Sequence, residues 1–201
     1  MAARLTRNDL LYDGCFAHVI SRSIGKQNIL RDQEDFNKFL KILKEVKKDS
    51  GFRLFHYCLM PNHFHIAVSI PEVRSFSKAI QQLKSRYIYY YHFKYRASGP
   101  AWRERFKSLI IENDSYMYAC GIYIENNPVA AGIVKNSVEW KYSSKRYYCG
   151  EEDDLVDSYG TKNLPGIPDE LDLCDEEVFE NEIGIGSGYF KYLTREGRRA
   201  G

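Results

Sequence analysis

Three observations predict an α+β fold. The first is a set of seven segments in the order β-α-β-β-α-β-α, alternating between twofold and helical periodicity; the second is a Pro61-Asn62 turn joining two adjacent strand segments. The third is a hydrophobic share of 44% in 201 residues, enough for a core of one ordinary domain. The order is that of a ferredoxin-like split βαβ sandwich, an antiparallel sheet with helices on one face, here with an extra C-terminal helix and an acidic tail. Cys15–Arg22 alternates as a first strand. Asp32 or Gln33 opens a helix carrying Phe36, Phe39, Leu40, Leu43 and Val46 at helical spacing, which stops near Asp49-Ser50-Gly51. Arg53–Met60 and His63–Ile70 are the paired strands across the turn. Ser75 or Ser77 opens a long helix ending before Ser98-Gly99-Pro100, and Arg105–Ile111 is the fourth strand. Asp114 caps a last helix running to about Asn127-Pro128. The helices are expected to cover one sheet face and leave the other available.

The net charge of +2 averages two opposite regions. Residues 1–150 carry +11, residues 151–182 carry −12 and the last 19 residues carry +3. The domain expectation is therefore a basic body over 1–150 and an acidic extension over 151–201, docked or lying over the basic surface as a gate. No apolar run approaches the ~18 residues that span a bilayer, and Asp9 and Asp13 interrupt any leader-like stretch, so a cytoplasmic protein is expected. Five cysteines, the closest pair 25 residues apart, argue for reduced thiols and against a zinc knuckle.

Two segments carry chemistry. In a strand His63 and His65 project to one face while Phe64 points to the other, so two imidazoles are offered together as ligands for a divalent ion; the alternative is a pair of half-exposed strand histidines with no ligand role. On the last helix Tyr123 and Asn127 stand four apart and share a face, and Pro128 follows; the alternative is a core aromatic and a C-terminal cap. The Val73–Ile111 stretch holds nine Lys and Arg against one acid, interleaved with aromatics, which suits phosphates meeting cations while bases stack on rings. The expected contacts there are Lys84, Arg86, Lys94, Arg96, Trp102, Arg103, Arg105 and Lys107, with Arg22 reaching phosphate from the first strand.

Taken in order, MPNHFH, LKSRY, WRERFKSLIIE, YIENNPVAAGIV and YSS resemble the single-tyrosine HUH transposases, most closely the branch associated with repeated extragenic palindromes (REP). The resemblance runs from about residue 10 to residue 150. It implies a ferredoxin-like fold, His63 and His65 as the histidine pair, Tyr123 as nucleophile and Asn127 as the polar ligand completing a metal site. It further implies cutting of single-stranded DNA beside a hairpin, leaving a 5′-phosphotyrosine and a free 3′-hydroxyl. Two neutral nitrogens and an amide oxygen make a weak, open site that suits Mg²⁺ or Mn²⁺ better than zinc. A phosphotyrosine conserves the energy of the broken diester, and no Gly-rich phosphate loop for a nucleotide cofactor is present. Rival nucleophiles are Tyr87, Tyr89, Tyr90, Tyr91 and Tyr95 on the long helix and Tyr116 and Tyr118 beside Tyr123; the resemblance favours Tyr123, which alone has the polar residue one turn later at the family spacing.

The function expected is thus a metal-dependent transposase and endonuclease acting on hairpin-bearing single-stranded DNA in the nucleoid, as a monomer or homodimer, with no membrane partner. A hairpin-binding or regulatory relative that does not cut is the alternative, and an RNA-binding sheet protein ranks last.

Overall fold

In a computed structural model of the chain, residues 11–103 and 105–159 are described. The elements are β1 (Cys15–Arg22), α1 (Gln33–Ser50), β2 (Arg53–Met60), β3 (His63–Ile70), α2 (Val73–Tyr95), β4 (Lys107–Ile111), α3 (Asp114–Glu125) and two single turns, α4 (Asn127–Ala130) and α5 (Lys145–Tyr148). The four strands form one sheet in the order β2-β3-β1-β4, and every neighbouring pair is antiparallel. The expected α+β sandwich is therefore present.

Local chemistry explains most boundaries. The Asp32 carboxylate accepts the Asp35 N–H and starts α1, and Gly51 ends it at φ 73°, a left-handed conformation that a side chain disfavours. Helix α2 starts at Val73, ahead of the serines expected to open it. The Val73 N–H donates 2.8 Å to the Asp13 carboxylate, so a residue 60 positions upstream caps this end. Helix α3 is capped by Asn113, which accepts the Tyr116 N–H, and Asp114 is its first helical residue. Pro128 does not simply stop the chain's helical course: it sits in the first turn of α4, where its missing N–H is not needed.

Helices α1 and α2 pack together over one face. Phe39, Leu43, Ile80, Leu83 and Tyr87 meet Ala17, Val19, Phe64, Ile66 and Val68 in the main core. The other face is not free as expected. Met117, Cys120 and Ile124 of α3 cover Phe55, Cys58, Met60 and Ala67 there. A register shift in β2 between Leu54 and His56 turns both Phe55 and His56 toward α3, as bulges commonly re-aim side chains. His56 Nδ1 bonds the Glu125 carboxylate at 2.9 Å, Ser144 Oγ donates to the same oxygen at 2.7 Å, and Gly121 lies directly against the His56 ring.

The segment after α4 returns to the outer edge of β2. Leu59 N–H donates to the Tyr142 carbonyl and Ser144 N–H to that of Tyr57, which seals an edge that would otherwise present unpaired groups. The first acidic residues continue this strap. Tyr57 donates to Asp153, Leu54 exchanges bonds with Asp157, and Leu155 and Val156 are buried in the core. The gate expected over the basic surface spans residues 151–182; those up to 159 lie along β2, and 160–182 lie outside the described residues. Cys15, Cys58 and Cys120 are buried and in no disulfide, whereas Cys149 is disulfide-bonded, against the expectation of reduced thiols.

Candidate active site

β3 begins directly after the Pro61-Asn62 turn, so His63 stands at a strand end and His65 one pleat further in on the same face. The turn fixes His63. Asn62 Nδ2 donates to the Lys26 carbonyl, which presents Asn62 Oδ1 to His63 Nδ1 at 2.5 Å. An oxygen there can only accept, so the His63 proton sits on Nδ1 and its Nε2 keeps a lone pair. Burial lowers the pKa of His63 to about 4, Arg22 pushes it the same way and a hydrogen bond to Asn127 opposes both. His65 is wholly buried, its pKa also held well down by burial, and its Nε2 has no hydrogen-bond partner among the described residues. A buried bare imidazole nitrogen beside a second neutral imidazole and an amide is what an ion-binding site requires before the ion arrives.

Tyr123 comes down on this pair from α3. Its ring lies edge-on to His65, centroids 5.8 Å apart at 81°, and edge-on to His18 at 5.9 Å and 73°. Burial raises the pKa of its hydroxyl while Arg22 pulls it back. Asn127 caps α3, its Nδ2 donating to the carbonyls of Tyr123 (2.8 Å) and Ile124 (3.2 Å), and its side chain also reaches His63. The rivals on α2 are engaged elsewhere or face solvent. The Tyr87 hydroxyl donates to the Ile29 carbonyl, Tyr90 and Tyr95 bond Asp35, and Tyr91 accepts from Arg31. Tyr89 is exposed on the far side of α2.

His18, absent from the sequence expectations, belongs to the same constellation. Its Nε2 lies 3.0 Å from His65 Nδ1, and it is 1% exposed. Only the register could have found it: Ile20 pairs with His65, so His18 stands diagonally beside it on the central strand.

The basic residues divide. Arg22 pairs with His63 across the sheet, and the Arg103 N–H donates to the Arg22 carbonyl, bringing the Trp102–Arg105 loop beside the site. A cavity of about 700 Å³, lined by Arg74, Lys78, Lys84, Trp102 and Arg105, lies on the α2 side of this loop, where Trp102 packs on Phe64 rather than on the histidines. Trp102 is half-buried against Phe64 with Lys84 over its ring, so it offers less free face for a base than a surface indole would. Arg96, Arg103, Arg105 and Lys107 are exposed. The other two expected contacts already have carboxylate partners within the chain. Lys94 is held by Asp32, Glu34 and Asp35 at 2.8–3.0 Å, and Arg86 is paired with Glu45, because both face α1.

A ferredoxin-like sheet presenting two histidines to a helical tyrosine, with cations around it, is the architecture of a protein that works on nucleic-acid phosphates. The chain belongs to the IS200-like transposases, whose family profile matches residues 12–127. It is thus a DNA transposase by family. Its fold is similar to that of a REP-associated tyrosine transposase solved bound to a REP hairpin: TM-score 0.60, 18% identity, 82% of this chain and 98% of that one. A candidate transposase from Deinococcus radiodurans R1 aligns with TM-score 0.42 and 21% identity over 62% of this chain and 97% of its own. None of the curated proteins matches the chain. Among the described residues no helix is long and apolar enough to cross a membrane.

Proposed function

We propose that this chain is a metal-dependent transposase of the REP-associated kind that nicks single-stranded DNA beside hairpins through a 5′-phosphotyrosine on Tyr123 and then rejoins strands. The observation that carries the reading is the contact of the Tyr123 ring with His65, at 5.8 Å. It brings a nucleophile to the ligands that would activate its target.

His63, His65 and Asn127 would hold a Mg²⁺ or Mn²⁺ ion. Among the described residues no cluster of three His, Cys, Asp or Glu competes for that role. When bound, the ion neutralises charge on the scissile phosphate oxygens and makes phosphorus more electrophilic. Tyr123 Oη attacks phosphorus, losing its proton. The P–O3′ bond breaks, and the departing 3′ oxygen takes up a proton as a hydroxyl. Attack by a 3′-hydroxyl on the phosphotyrosine reverses these bonds and transfers the strand. Arg22 favours the tyrosinate, countering the burial that opposes it. Arg96, Arg103, Arg105, Lys107, Lys84 and the edge of Trp102 line the approach for the strand. Residues 1–150 form the nuclease domain in this reading and 151–201 its extension, and the protein acts on nucleoid DNA in the cytoplasm.

The test uses end-labelled hairpin oligonucleotides from the gene's own flanks with Mn²⁺ on a denaturing gel. An SDS-resistant protein–DNA adduct is expected, absent in Tyr123→Phe and without divalent ion. An adduct that survives Tyr123→Phe moves the nucleophile elsewhere. Tight, salt-sensitive hairpin binding with no adduct on any flank refutes the enzyme reading.

A further inference from the structure

The His18–His65 contact has a geometry that a packing contact would not need. The ring centroids are 5.2 Å apart, the planes differ by only 21°, and the facing nitrogens are 3.0 Å apart. The two imidazoles therefore lie nearly in line, edge to edge, with one proton between them. Both rings are buried, and the nitrogens at the two outer ends, His18 Nδ1 and His65 Nε2, have no hydrogen-bond partner among the described residues.

Two arrangements of the protons are available to a pair of neutral rings. In the first, His65 carries its proton on Nδ1 and donates to His18 Nε2. His65 Nε2 is then a bare lone pair, and the proton of His18 resides on Nδ1. In the second, His18 Nε2 donates to His65 Nδ1, and His65 Nε2 carries an N–H that cannot ligate anything. The state of the ligating nitrogen is thus tied to a proton one ring away. We infer that His18 is a positioning residue that accepts the Nδ1 proton of His65, fixing both the plane of that ring and the tautomer that leaves Nε2 bare for a divalent cation. His18 is too far behind His65 in this line to be a ligand itself. Its part corresponds to that of a carboxylate or carbonyl behind a metal-bound imidazole, where losing the partner typically costs 10–100-fold in metal affinity. The inference rests on the reading of His65 as a ligand.

Four proteins test it: wild type, His65→Ala, His18→Phe, which keeps a ring but cannot accept, and His18→Gln, whose amide oxygen can. Mn²⁺ binding is followed by the electron paramagnetic resonance signal of the free ion, without DNA, and folding by thermal melting. Wild type should bind, His65→Ala should lose the site, and His18→Phe should bind about 10–100-fold more weakly. His18→Gln should recover most of the difference. Adduct formation by His18→Phe should return at saturating Mn²⁺. Long-range ¹H–¹⁵N spectra of the metal-free wild type should find the His65 proton on Nδ1, and this needs no variant, so a His18 protein that fails to fold leaves the inference decidable. A folded His18→Phe protein binding Mn²⁺ as tightly as wild type, or a His65 proton on Nε2, overturns the inference and leaves the ligand reading standing. Mn²⁺ binding that survives His65→Ala, or none in wild type, overturns the ligand reading and the inference with it.

Discussion

Replacing Gly121 with alanine asks how closely the helix carrying Tyr123 must lie on the sheet. A Cβ at this position would stand 2.3 Å from His56 Cε1, 2.5 Å from Nε2 and 2.6 Å from Nδ1, where ordinary contact begins near 3.4 Å. The imidazole has little room to swing. It is 7% exposed, bonded to Glu125 and stacked on Tyr148 with centroids 4.6 Å apart. Helix α3 must therefore withdraw by about 1 Å, carrying Tyr123 two residues further on, and a displacement of that size at a reacting group costs on the order of 100-fold in rate. Overpacking should also destabilise the fold by about 1–3 kcal/mol. Single-turnover adduct formation on a labelled hairpin should fall accordingly, while hairpin affinity by fluorescence anisotropy stays within about threefold, because Arg22, Arg103 and Arg105 are not on α3. The Gly121→Ala/His56→Ala protein, with the ring removed, should regain part of the rate while melting lower still. Wild-type rate and melting temperature in Gly121→Ala would refute the close-approach reasoning.

Other expectations are independent of α3. Lys94 first, then the Asp35 N–H, hold the Asp32 pKa below its ordinary value. The folded-state pKa thus lies below the unfolded value of about 3.9, so the stabilisation is complete above it and is lost as pH falls through the folded value. Asp32→Ala should lower the urea midpoint at pH 7, and the gap to wild type should close as pH falls below about 4; a gap that widens in acid contradicts this. Replacing Arg103 and Arg105 by glutamine should flatten the slope of log affinity against log salt by about 0.7 per cation for a single strand. An unchanged slope in anisotropy titrations would remove the Trp102–Arg105 loop from the DNA path.

What the sequence made legible follows from the range of the forces involved. β1, α1, β2 and β3 could be bounded from alternation, an Asp32 cap and a Gly51 stop because each signal acts within a few residues. The start of α2 could not, since its cap comes from Asp13 across the fold. Lys94 looked free in a basic stretch because its carboxylate partners lie about 60 residues upstream. The shift in β2 that turns His56 toward Glu125 leaves no trace in composition. At the candidate site, spacing within a strand and within a helical turn only paired His63 with His65 and Tyr123 with Asn127; it was the resemblance to the single-tyrosine HUH transposases that singled them out. His18 did not stand out, because its relation to His65 exists only once β1 is paired with β3.

The tyrosine that meets His65 belongs to the same chain, on a helix joined through β4 at one edge of the sheet and strapped to β2 at the other. On the proposed reading, the nucleophile and the residues that would hold the ion are thus supplied by one chain. On that reading, activity in a mixture of wild-type and Tyr123→Phe protein should track the share of wild-type copies in direct proportion.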